Sequence, residues 1–146
     1  PDADLFAPPG LARRKPDLRV SAELGDEPDS GWAAEIDQVI FHGSLAMEEV
    51  AFFHHPSRTA IICDLIQRHP ESSLTDWRGM LMRIDGLVGD NGSTPREWRA
   101  SFLRRKPARA ARDTVVGWKA ERLLIAHGEC AQTGATSIIE KALAWI

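Results

Sequence analysis

The chain has 146 residues, 43% of them hydrophobic and 27% charged, with a formal charge of −3. That length fits a single domain able to bury roughly two-thirds of its unfolded surface, and the composition is ordinary for a globular protein. The acidic balance argues against a dedicated nucleic-acid binder, which is usually basic.

Leu5-Phe6-Ala7 reads as a short strand stopped by Pro8-Pro9-Gly10, and Leu11–Ser30, rich in Pro, Gly and charge, as loop with one short helical turn. Glu35–His42 and Glu49–His54 are β-prone and apolar. The polar stretch H-H-P-S-R then suits a hairpin turn, making Val50–Phe53 and Ala60–Ile62 antiparallel neighbours. From Ser73 the pattern turns helical. Ser73 and Asp76 have capping-box spacing, followed by an apolar stripe of Leu74, Trp77, Leu81, Ile84 and Val88 that Gly89 closes. Thr94, Pro95 and Glu97 repeat the start signal as cap, first-turn proline and box acid. Trp98 and Phe102 then share a face. A helix from Pro107 to about Trp118 points Val115 and Trp118 inward. Arg122–Ala126 is a strand, and Ala135–Ile146 a last helix with Ile138, Ile139, Ala142, Leu143 and Ile146 on one side. Strands first, then helices, one more strand and a final helix predict an α/β (α+β layered) fold with a mixed sheet.

Two segments carry the chemistry. Thr59–Gln67 reads T-A-I-I-C-D-L-I-Q, and Glu121–Glu129 reads E-R-L-L-I-A-H-G-E. Each is an apolar run ending on a metal-competent side chain, Asp64 or His127, at the carboxyl end of a strand, where α/β proteins usually hold ligands. Asp64 reads either as a turn or capping residue or as a metal ligand, since carboxylate oxygen serves zinc, iron and manganese alike. His127 alone reads as structural; pairing with Asp64 turns it toward metal binding. His42, followed by Gly43 as His127 is by Gly128, is the best third ligand on offer. Glu129 reads either as a carboxylate that orients the His127 imidazole or as a solvated loop charge. Cys63 lines the site or is a small buried hydrophobe, the usual role of a free cysteine. His54 and His55 fall in the hairpin turn at the wrong strand end, and His69 in a loop. The cluster Arg96, Arg99, Arg104, Arg105, Lys106, Arg109 and Arg112 reads as a solvated helix face rather than a phosphate-binding surface. No G-x-S-x-G elbow or glycine-rich phosphate loop occurs.

No apolar run approaches the roughly 18 residues that span a membrane, and the polar, proline-rich start is no signal peptide. Two cysteines, Cys63 and Cys130, are too few for a disulfide scaffold. A reducing, cytoplasmic location is expected.

The apolar hairpin with its P-S-R-T turn, then I-I-C-D-L-I, helices, and L-L-I-A-H-G-E resembles the second half of the metallo-β-lactamase fold. L-F-A-P-P-G-L-A-R-R-K-P-D-L, A-E-I-D-Q-V-I-F, E-E-V-A-F-F-H-H-P-S-R-T-A-I-I-C-D-L-I-Q and T-P-R-E-W-R are together similar to the uncharacterised domain-of-unknown-function family 4336. The resemblance covers almost the whole chain. It implies the second half of an αββα sandwich, with Asp64 as the carboxylate that bridges or joins two metals, His127 as the last histidine, and His42 near the middle one. The superfamily's H-x-H-x-D-H is absent from these residues, and the resemblance places it upstream. It implies one or two zinc ions, with iron or manganese as alternatives, or no metal in this chain alone. The expected function is that of a metal-dependent hydrolase of an ester, lactone or thioester, incomplete here and inactive by itself. The alternatives are a non-catalytic binding or oligomerisation module, pairing as a homodimer or with the missing half, and, third, an RNA-processing nuclease.

Overall fold

The computed structural model describes residues 3–73 and 77–146. In chain order the elements are β1 (Phe6–Ala7), α1 (Leu11–Arg14), β2 (Ala22–Glu23), β3 (Ile36–Phe41), β4 (Glu49–His54) and β5 (Thr59–Arg68). A 3-10 turn at Glu71–Ser73 follows, then α2 (Trp77–Ile84), α3 (Arg96–Ser101), α4 (Arg105–Gly117), β6 (Arg122–Gly128) and α5 (Ala135–Ala142). The fold is mixed α/β, as the element order predicts. A four-stranded sheet runs β3-β4-β5-β6, with β3, β4 and β5 antiparallel and β5 and β6 parallel. β1 and β2 form a separate parallel pair, and β2 lies within the stretch expected to be loop.

Period-two alternation explains which face of the sheet is buried. Phe41, Ala51, Phe53, Ala60, Ile62 and Leu123 belong to one core cluster with Ala108, Ala111 and Val115 of α4 and Ile139 and Ala142 of α5. Burying a side chain such as Ile62 or Ile139 contributes about 2 kcal/mol, so this layer anchors the fold. Trp118, just past α4, stacks on Phe53 with ring centroids 5.5 Å apart, and Trp98 and Phe102 are both buried, as their spacing predicts.

On the opposite face, register places Phe52, Ile61 and Leu124 in one row across β4, β5 and β6. Leu124 is exposed there. Near β3 that face is covered instead: Trp32 donates to the buried Gln38, which donates to the Gly25 carbonyl. Both sheet edges are partly occupied. Asp26 accepts the Ile40 N–H, and Leu123 and Ala131 exchange two backbone hydrogen bonds of 2.9 Å each.

Two expectations need correction, and a third lies outside the described residues. The Ser73–Asp76 box and Leu74 fall on or beside residues outside those described. Of the same stripe, Trp77, Leu81 and Ile84 are exposed rather than buried, and α2 stops at Ile84, before the Gly89 expected to close it. Thr94 does not cap α3: it is fully buried, and its hydroxyl accepts from the Trp145 indole at 2.9 Å. Pro95 takes the cap position, with no side-chain hydrogen bond.

Candidate functional site

β5 begins regularly, with Thr59 through Ile62 paired to Arg122 through Ile125 of β6. The ladder then breaks. Pairing resumes only at Gln67 with His127, so Cys63, Asp64, Leu65 and Ile66 stand opposite Ala126 alone. Asp64 therefore sits on a bulge inside the strand, not at its carboxyl end, and bulges commonly re-aim a side chain. Beyond the bulge, Gln67 exchanges backbone hydrogen bonds with Ser93. Gly128 ends β6 with φ +105°, and a Cβ there would lie 1.9 Å from the Arg68 carbonyl oxygen. Only glycine permits that approach beside His127.

The bulge brings the two chemistry-bearing residues together. His127 Nε2 lies 2.9 Å from Asp64 Oδ1. Their side chains are 51% and 41% exposed, so as an ion pair they contribute at most about 1 kcal/mol to stability. That is too little to explain a strand distorted over four residues. Both line a hollow of about 480 Å³ with Gln67, Glu97 and the apolar Met47, Pro95 and Trp98. The Trp98 indole N–H is buried without a hydrogen-bond partner among the described residues.

The remaining candidates lie elsewhere. His42 does not join the pair: Glu48 Oε1 sits 2.7 Å from its Nδ1 and Asp26 Oδ2 3.3 Å from its Nε2. Burial pulls that ring's pKa down, but hydrogen bonds and charge from Glu48 and Asp26 outweigh it and raise the pKa. Glu129 borders a different hollow with Pro70, Glu71 and Asp90, its backbone N–H donating to the Arg68 carbonyl at 2.7 Å. Cys63 is exposed rather than buried. Burial first, then the charges of Glu49 and Asp64, push its thiol above the ordinary range, away from the thiolate that binds metals. His54 contacts Ser57 and His55 contacts Asp37, at the turn end of the hairpin.

Two more residues bear on the pair: His69, expected only as loop, and Glu49, which the sequence does not single out. His69 lies close enough to His127 that, after desolvation, the charge of His127 lowers its pKa. Glu49 is buried at the start of β4, where desolvation raises its carboxyl to about 7. One of its oxygens accepts the backbone N–H of Asp64 and of Leu65, each at 2.9 Å. Its phase was the available signal: Glu49 shares a strand face with Ala51 and Phe53, on the core side.

A catalytic zinc takes about three protein ligands. Among the described residues no group of three or more His, Cys, Asp or Glu side chains is placed to hold a metal. Asp64 and His127 thus supply two donors, short of a complete site. Three members of the arginine cluster are engaged within the fold, while Arg104, Arg105, Lys106 and Arg109 lie exposed on α4 and just before it. Arg96 pairs with Asp85, Arg99 donates to the Thr94 and Asp85 carbonyls, and Arg112 donates to the Ile146 carbonyl. No described helix is long and apolar enough to cross a membrane.

No protein-family model matches the chain, and no curated protein matches it. Its class rests on fold and site: a mixed α/β protein in which Asp64, on a bulge of β5, meets His127 of β6 beside a partly apolar hollow.

Proposed function

We propose that the chain is a metallo-β-lactamase-like protein derived from a metal-dependent hydrolase, in which Asp64 and His127 are two of the metal's ligands. The observation that carries this reading is their contact across two strands, at the wall of a hollow large enough for a small ester, lactone or thioester. Zinc is the metal this donor pair suits best, with iron or manganese as alternatives. Two donors do not complete a site, so the remaining ligands would come from a further chain segment or a second subunit. By itself the chain is expected to take up zinc weakly and to hydrolyse little or nothing.

Elemental analysis after equilibration with zinc tests this on wild type, Asp64→Ala and His127→Ala. Uptake by wild type and loss in both variants supports the reading. Equal metal content in all three removes these residues from the site, and full turnover of an ester or lactone by the 146 residues alone would contradict their incompleteness.

The open row Phe52, Ile61 and Leu124 favours a second reading, a binding or oligomerisation module that pairs through this sheet face as a homodimer. Light scattering decides it: a dimer broken by Leu124→Asp supports the module, and a monomer at every concentration refutes it. Arg96, Arg99 and Arg112 are engaged within the fold, which weakens the case for a nuclease.

A further inference from the structure

The bulge in β5 raises a problem of hydrogen bonding. β4 pairs with β5 only from Phe52–Ile61 to His54–Thr59, and β6 releases β5 after Ile62. Residues Cys63–Ile66 have thus left both neighbouring ladders, and Leu65 and Ile66 are fully buried. Backbone N–H groups in such a segment need partners, because an unpaired buried donor is costly. The Glu49 carboxylate supplies two of them, one oxygen accepting from Asp64 and Leu65 at once. Glu49 lies where β4 no longer reaches β5 through its backbone, so a side chain does what the ladder cannot. Its other oxygen is buried with no partner among the described residues, so the carboxylate is not there for a salt bridge or a solvent contact.

We infer that Glu49 is a positioning residue: it clamps the β5 bulge through the Asp64 and Leu65 amides and so holds the Asp64 carboxylate against His127. The inference rests on the reading of Asp64 and His127 as a ligand pair, and it adds the residue that sets their geometry. Glu49 does not line the hollow; it acts through the backbone amide of Asp64 and leaves the Asp64 carboxylate free for His127. Shape and acceptor oxygen matter for this role. Glutamine keeps both and should serve, whereas aspartate is one methylene too short to reach both amides.

The test compares wild type with Glu49→Gln, Glu49→Asp and Glu49→Ala by NMR without metal, then by zinc titration. Hydrogen exchange of the Asp64 and Leu65 amides should quicken about tenfold in Glu49→Asp and Glu49→Ala, the loss of one hydrogen bond for each amide. In both, the His127 ring nitrogen shift should move to that of Asp64→Ala, while Glu49→Gln stays near wild type. Zinc affinity should fall about tenfold in the same two variants and recover in Glu49→Gln. Should Glu49→Ala fail to fold, Glu49→Asp and Glu49→Gln carry the comparison. A folded Glu49→Asp with unchanged amide exchange and an unchanged His127 shift overturns the inference. If wild type binds no zinc, the ligand reading fails, and the metal-free spectra still decide the role of Glu49.

Discussion

The two stretches of β5 differ in pairing, burial and chemistry. Thr59–Ile61 is paired on both sides and Ile62 to β6 alone, and Ala60 and Ile62 belong to the helix-covered core. Cys63–Ile66 is paired through neither ladder, carries the half-exposed Asp64, and leans on one buried carboxylate. The same strand is therefore a structural beam at one end and a mount for chemistry at the other. The bulge separates the two roles, so a change in one stretch should leave the other largely untouched.

The largest break in that division is expected at Gly128, which binds the two stretches' neighbours together. Its φ of +105° and the 1.9 Å clash of any Cβ with the Arg68 carbonyl admit no side chain. Gly128→Ala should cost about 4 kcal/mol or more in urea unfolding, and an unfolding midpoint near wild type would show that β6 ends more loosely than described. Next, Ile62→Ala in the regular stretch should cost about 3 kcal/mol through the cavity it leaves, with zinc uptake unchanged if the protein is assayed well below its midpoint. A parallel loss of zinc would mean that the two stretches are not independent.

Glu49 gives the comparison a pH dependence. Its carboxyl titrates at about 7 in the folded chain against 4.5 ordinarily. Between those values the folded state holds the extra proton. The stability tied to this proton is therefore complete below about pH 4.5 and is lost as pH rises through 7. The gap corresponds to about 3 kcal/mol at most. Unfolding measured from pH 4.5 to 8 should show this decline in wild type and a flatter profile in Glu49→Gln; identical slopes would mean that Glu49 is not desolvated. The smallest effect belongs to the pair itself. Asp64→Asn should change stability by less than about 1 kcal/mol, while metal uptake falls sharply. A stability loss several times larger would make Asp64 a structural residue.

Much of the regular stretch was legible in the sequence. Two apolar, β-prone runs, Val50–Phe53 and Ala60–Ile62, with a polar turn between, pointed to the antiparallel pairing, and Asp64 and His127 stood out as polar ends of apolar runs. The bulge was not legible, because Leu65 and Ile66 continue the apolar run and conceal the break. Glu49 escaped for the opposite reason. A carboxylate beside Glu48 reads as surface charge, and only its phase with Ala51 and Phe53 betrays a buried position. His42 shows the limit of local similarity. Its H-G step copies that of His127, but β3 lies two strands from β5, and Asp26 and Glu48 occupy both ring nitrogens. The stripe of α2 failed because spacing reports a common face, not what lies against it.

The central claim is that Asp64 and His127 act together as ligands. Titration with cobalt(II), followed through the paramagnetically shifted imidazole protons, tests it most directly, since only metal-bound histidines shift strongly. The account predicts one shifted ring, lost in His127→Ala and in Asp64→Ala and retained in His42→Ala. A shifted ring that survives Asp64→Ala, or one that disappears only in His42→Ala, would contradict it.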